Sequence, residues 1–132
     1  MSLKTWKQEF YSSPRKCKTA LEAAEHSLKK WVGFKAENLA KHGLRFARAG
    51  SLESGVKNRV IDFGATSETC ALCVMFLYTA KSCDACPLVK SGSKACGCFG
   101  SPYRQSCDII DPKYIIEALE KAVKYCKKHP KE

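Results

Sequence analysis

Two cysteine pairs constrain this chain more than anything else in it: Cys70-Ala71-Leu72-Cys73 and Cys83-Asp84-Ala85-Cys86-Pro87. A Cys-x-x-Cys turn points both sulfurs at one place, and two such turns supply the four ligands of a tetrahedral site. The spacing predicts a structural zinc centre held by Cys70, Cys73, Cys83 and Cys86. A third group of sulfurs follows in Cys96-Gly97-Cys98, inside a glycine-rich turn, and Cys98 is the natural substitute for any of the four. Cys17 and Cys126 fall on apolar helical faces and read as small buried hydrophobes. Cys107 fits either description.

Cysteine number separates metal from disulfides. Seven of the nine cysteines lie between Cys70 and Cys107, and an odd total cannot pair off completely within one chain. Met1 to Phe10 is polar and basic with no secretory leader visible, and the longest apolar run, Ala71 to Ala80, is too short to cross a bilayer. The expectation is a cytoplasmic protein in a reducing compartment, where metal binding accounts for dense thiols better than disulfides do. An iron–sulfur cluster and an incidental set of thiols are the alternatives. Leu72, Met75, Phe76 and Thr79 have helical spacing, so Cys70 and Cys73 sit near a helix N-terminus, which favours the thiolate that binds metal. Pro87 predicts a second short helix over 88–90, closed by Gly92. Lys81, Lys90, Lys94 and Arg104 lie around the cluster in sequence and would offset the negative charge of a four-thiolate zinc.

The flanking segments read as helices. At 132 residues the chain is one domain, divided into a helical region over 15–50, the cysteine-rich insert over 67–107 and a C-terminal helix over 111–128. Trp6 and Phe10, at i and i+4, dock on the protein's own core rather than forming a free arm. Ser13-Pro14 predicts a helix start, with serine as N-cap. Leu21, Ala24, Leu28, Trp31, Val32 and Leu39 then recur at helical spacing opposite Glu22, Glu25, Lys29 and Lys30. This predicts one long amphipathic helix to about Lys41, with Gly33 a tolerated weak point and Gly43 a stop. Gly50 to Gly55 reads as a loop, and Val56, Val60, Ile61 and Phe63 as one short extended segment broken at Gly64. Asp111 as N-cap, Pro112 at the first helical position and apolar residues from Tyr114 to Cys126 predict a helix to about Lys128, packed on the N-terminal one. The fold class expected is mainly α: a long N-terminal helix and a C-terminal helix packed around a loop-rich, zinc-stapled insert.

The order Cys-Ala-Leu-Cys, then Cys-x-x-Cys-Pro, then Cys98 with Ser101-Pro102-Tyr103, resembles a family of small uncharacterised cysteine-rich proteins of bacteriophages and bacteria. The resemblance covers about Glu68 to Tyr103. It implies a metal-bound core and a phage or bacterial context, and no activity.

Functional expectations rest on charge and on missing motifs. A net charge of +10 draws acidic partners, of which nucleic acid is the commonest. If the helix continues through Gly43, Lys41, Arg45 and Arg48 share one face and form a phosphate-reading stripe. The competing account is a set of solvated cations at a helix C-terminus, and the same holds for Lys121, Lys124, Lys127, Lys128 and Lys131. No P-loop, Gly-x-Ser-x-Gly, His-Glu-x-x-His or dinucleotide-binding turn is present, and His26, His42 and His129 read as solvated. The sequence reads as a non-catalytic binding module for nucleic acid, with no membrane and no small-molecule substrate. The alternative is a phage-type adaptor or inhibitor that docks on an acidic host protein.

Overall fold

The computed structural model describes residues 3–11, 17–46, 51–54, 60–64, 71–72, 75, 86–93 and 101–129. Its elements are α1 (Leu3–Phe10), α2 (Ala20–Gly33), α3 (Ala36–Ala40), β1 (Leu44–Phe46), β2 (Ser51–Ser54), β3 (Val60–Gly64), α4 (Pro87–Lys90), α5 (Pro102–Ile109) and α6 (Lys113–Lys128). The protein is mainly helical, and α2 and α6 form its most extensive helix pair, as the amphipathic patterns required. No helix among the described residues is long and apolar enough to cross a membrane.

The long N-terminal helix expected from Ser13 to Lys41 is instead two helices with a break between them. Cys17 and Lys18 are not helical, and α2 starts at the N-cap Thr19, whose hydroxyl accepts the Glu22 N–H at 3.1 Å. The Glu22 carboxylate reaches back to the Thr19 hydroxyl and the Lys18 N–H, both at 3.3 Å, so Thr-x-x-Glu acts as a capping box. At its other end the helix stops because its last carbonyls find other donors. Asn38 Nδ2 donates to the Val32 carbonyl at 2.8 Å, and the Trp6 indole donates to that of Gly33 at 2.9 Å. Gly43, at φ +70, ends the turn after α3 in a conformation that a Cβ would strain.

Past Gly43 the chain becomes strand, not helix. β1 pairs antiparallel with β2, and β2 with β3, giving the order β1-β2-β3. The extended segment expected near Val60 is β3, but its partner β2 lies in the stretch expected to be a loop. Leu44 and Leu52 are buried and anchor this small sheet to the helices. Val56 lies outside the described residues.

Aromatic side chains gather where α1, α2, β1 and α5 meet. Trp31 lies edge-on to Phe34, Phe46 and Tyr103 at 5.1, 6.1 and 5.9 Å between ring centroids, and Trp6 stacks on Phe34 at 5.3 Å. Each such pair contributes about 0.5–1.5 kcal/mol beyond its area burial. Trp6 and Phe10 are buried, as their spacing implied. The buried face of α2 is rotated from the expected one. Ser27 and Lys30 are buried with Ala23, Ala24 and Trp31, whereas Leu21, Leu28 and Val32 are only half-buried. α2 is contacted by α1 as well as α6, so its covered arc is wider than an apolar stripe and takes in the whole of Lys30, whose ammonium lies 5.5 Å from the Trp31 ring.

At the C-terminal end, the chain after the expected glycine-rich turn is helical from Pro102, and the Ser101 hydroxyl caps α5 by accepting the Arg104 N–H at 3.2 Å. α6 begins at Lys113, one residue later than expected, with Pro112 as N-cap. Asp111 still serves it, accepting the Lys113 N–H at 3.0 Å, and Ser106 of α5 accepts the Ile115 N–H at 2.9 Å.

Candidate functional site

Cys86, alone of the proposed zinc ligands, lies within the described residues. It is buried and stands as the N-cap residue of α4, directly before Pro87, and Gly92 closes that turn at φ +105. The short helix expected after the second cysteine pair is therefore present. Cys70, Cys73, Cys83 and Cys98 lie outside the described residues, and among those described no three metal-binding side chains come together. Cys126 is buried as expected. Cys17 is half-buried ahead of α2, not on a helical face, and burial pushes its thiol pKa up, with the Glu22 carboxylate adding to the rise. Cys107 is half-buried on α5. Burial raises its pKa; a hydrogen bond from Tyr103 opposes this, Asp108 adds to it and Lys30 opposes it.

The cationic stripe expected from Lys41, Arg45 and Arg48 does not form on one helix. Lys41 follows α3, Arg45 is on β1, and Arg48 lies outside the described residues. The helical register fails because Gly43 turns the chain left-handed between the first two. Lys41 is exposed and 3.9 Å from Glu9, a weak surface pair. Arg45 is more committed: Nε and Nη2 donate to one Glu53 oxygen at 2.9 and 2.7 Å, across the β1–β2 register pair.

α6 carries the cations in a different condition. Lys121, Lys124, Lys127 and Lys128 are all exposed, lie within two turns of one helix and make no ion pair among the described residues. No carboxylate lies on α6 beyond Glu120. The rings of Tyr125 and His129 lie beside them, tilted by 30° with centroids 4.3 Å apart. These lysines, expected as solvated cations at a helix C-terminus, are exposed there.

The histidines expected to be solvated are not all so. His26 is buried, and Tyr11 and its ring meet edge-on at 5.1 Å. The His42 side chain, 12% exposed, bridges Thr5 and Glu9. Its Nε2 donates to the Glu9 carboxylate at 2.8 Å, and in the neutral ring Nδ1, also at 2.8 Å, accepts from the Thr5 hydroxyl. A hydroxyl, an imidazole and a carboxylate in this order can relay a proton, yet catalysis further requires donors for a developing oxyanion and a cleft for substrate. What the geometry does show is a clamp between α1 and the turn after α3.

These features define a small, basic, mainly helical protein with one lysine-rich helix end and a cysteine-rich segment. Comparison with protein-family models, characterised proteins and solved structures finds no match to this chain.

Proposed function

We propose that this protein is a small, basic, non-catalytic binding module that holds the phosphate backbone of nucleic acid through the C-terminal half of α6. The observation carrying this reading is the group of four exposed lysines from Lys121 to Lys128, none of them ion-paired among the described residues. Ammonium groups not held in an ion pair among the described residues can displace counterions from phosphates, whereas Arg45 would first have to leave Glu53. Lys41, with only a weak pair to Glu9, is a secondary contact. Zinc bound by Cys70, Cys73, Cys83 and Cys86, with Cys98 as substitute, is proposed as the staple of the segment between β3 and α5. Its support is the paired spacing and the placement of Cys86 at the start of α4. The likeness to cysteine-rich phage and bacterial proteins adds a proposed context and no activity.

The test is affinity for DNA and RNA of unrelated sequence between about 50 and 200 mM salt, where several phosphate contacts cost on the order of a hundredfold or more. Reversing Lys121, Lys124 and Lys128 to glutamate is expected to abolish binding, while reversing Arg45 alone leaves most of it. Absence of binding at the lowest salt overturns the reading. The second reading, an adaptor docking on a host protein, is favoured by an apolar surface at the opposite end of α6.

A further inference from the structure

The corner between α5 and α6 has a feature that folding alone does not explain. Ile110 closes α5 in the left-handed region, at φ 56 and ψ 43. A β-branched residue is strained there, and glycine or asparagine is the ordinary occupant. Its side chain is also 43% exposed, beside Ile109 at 48% and Tyr114 at 40% in the first turn of α6. Backbone strain that holds an apolar side chain in water marks a surface that something else covers.

Ile110 is also part of the wall of a groove of about 500 Å³ between α3, β1 and the start of α6. Phe34, Leu44, Phe46, Pro112 and Ile116 make its interior apolar. Lys35 and Lys113 line it as well, both exposed and neither ion-paired among the described residues, and the Lys113 ammonium lies 5.1 Å from the Tyr114 ring. The charged lining is three cations, Lys35, Lys113 and the Glu53-paired Arg45, against two carboxylates, Glu37 and Asp111, and Asp111 also accepts the Lys113 N–H.

We propose that this groove binds an acidic protein segment, with bulky apolar side chains entering beside Ile110 and carboxylates meeting Lys35 and Lys113. The occupant's charge follows from this chain's +10, because a second copy would bring like charge to the contact whereas an acidic partner is attracted from a distance. The inference stands apart from the nucleic-acid reading, which uses the other end of α6.

A displayed library of random peptides, selected on the full-length protein, tests it. Selected peptides should carry Asp or Glu around Leu, Phe or Trp, and their synthetic forms should bind by fluorescence anisotropy. Ile110→Gly relieves the strain and removes the side chain, so its melting temperature should equal or exceed that of the wild type while peptide affinity falls roughly tenfold or more. Ile110→Asn serves if the glycine variant folds poorly, and Lys35→Glu with Lys113→Glu should weaken binding with Ile110 intact. DNA affinity of Ile110→Gly should be unchanged, which separates this proposal from the previous one. Selected peptides without acids, or equal binding by Ile110→Gly, would overturn the proposal. So would a failure to select any peptide, including the case in which the wild type sediments as a dimer and Ile110→Gly as a monomer, which would make the surface a self-interface.

Discussion

The indole of Trp6 donates to the carbonyl of Gly33 at 2.9 Å, joining α1 to the last turn of α2 across twenty-seven positions of sequence. Gly33 is where it is because of the same contact. A Cβ built there would lie 2.6 Å from Phe10 Cγ and 2.7 Å from its Cβ, closer than packed atoms tolerate. Gly33→Ala gains about 1 kcal/mol of helix propensity, but overpacking a core costs about 1–3 kcal/mol. The expected outcome is a net loss of stability in denaturant titration, with α1 released to protease earlier than α2. A variant more stable than wild type would show that α1 does not seat against Gly33.

Ser106 and Ile115 offer a cleaner test of how α6 is started. Pro112 makes no side-chain cap, and the Ser106 hydroxyl reaches across from α5 to the Ile115 N–H. Ser106→Ala leaves that buried donor without its acceptor, which costs about 1–3 kcal/mol. Amide exchange at Ile115 should accelerate with it.

Cys107 predicts a pH dependence. Its folded-state pKa lies above the ordinary 9.0, mainly through burial, so the folded state holds its proton more tightly than the unfolded chain does. That contribution to stability is complete below the unfolded value and disappears as pH rises through the folded one. Cys107→Ala should therefore flatten the fall in stability seen above about pH 9, whatever it does to stability at neutrality. Alkylation of Cys107 by iodoacetamide should also be slower than that of a solvated thiol at the same pH, because less of it is thiolate. Equal rates would contradict the raised pKa.

Metal content tests the cysteine pairs. The purified protein is expected to hold about one zinc, colourless, with chelation lowering the melting temperature. Cys86→Ser and Cys73→Ser should each lose the metal, whereas Cys126→Ser should keep it. Iron-dependent visible absorption, or metal-free protein with unchanged heat stability, would refute the zinc centre.

Clamping of α1 through His42 gives a fifth comparison. Glu9→Ala and Thr5→Val each remove one partner of the imidazole, and hydrogen bonds to charged groups are worth about 1.5–3 kcal/mol against about 1 for neutral ones. Glu9 is partly exposed, so solvent reduces the charged term, and the two variants should lose similar amounts. Additivity of the double variant would show that His42 does not couple them.

Local signals were enough for α6, whose apolar spacing and Asp111-Pro112 start define it to within a residue, and for α4, announced by Pro87 and closed by Gly92. They were enough for the burial of Trp6 and Phe10 as well. The Ser-Pro signal occurs twice, and its meaning differs each time: Ser101-Pro102 starts α5, whereas no helix runs on from Ser13-Pro14 through Cys17 and Lys18. The cap that does start α2, Thr19 with Glu22, was visible as a Thr-x-x-Glu pattern. Other features had no local signal. Arg45 left the expected stripe because β1 needs the antiparallel partner β2, and a three-residue strand has no stability until that partner arrives. Lys30 was buried because two helices cover α2, which its own pattern cannot register. Gly33 looked like a weakness in a helix until Phe10 was placed against it. Periodicity reports how one segment divides its own surface between water and core, while register, close approach and a second packing neighbour depend on residues far away in the chain, and these only the tertiary structure decides.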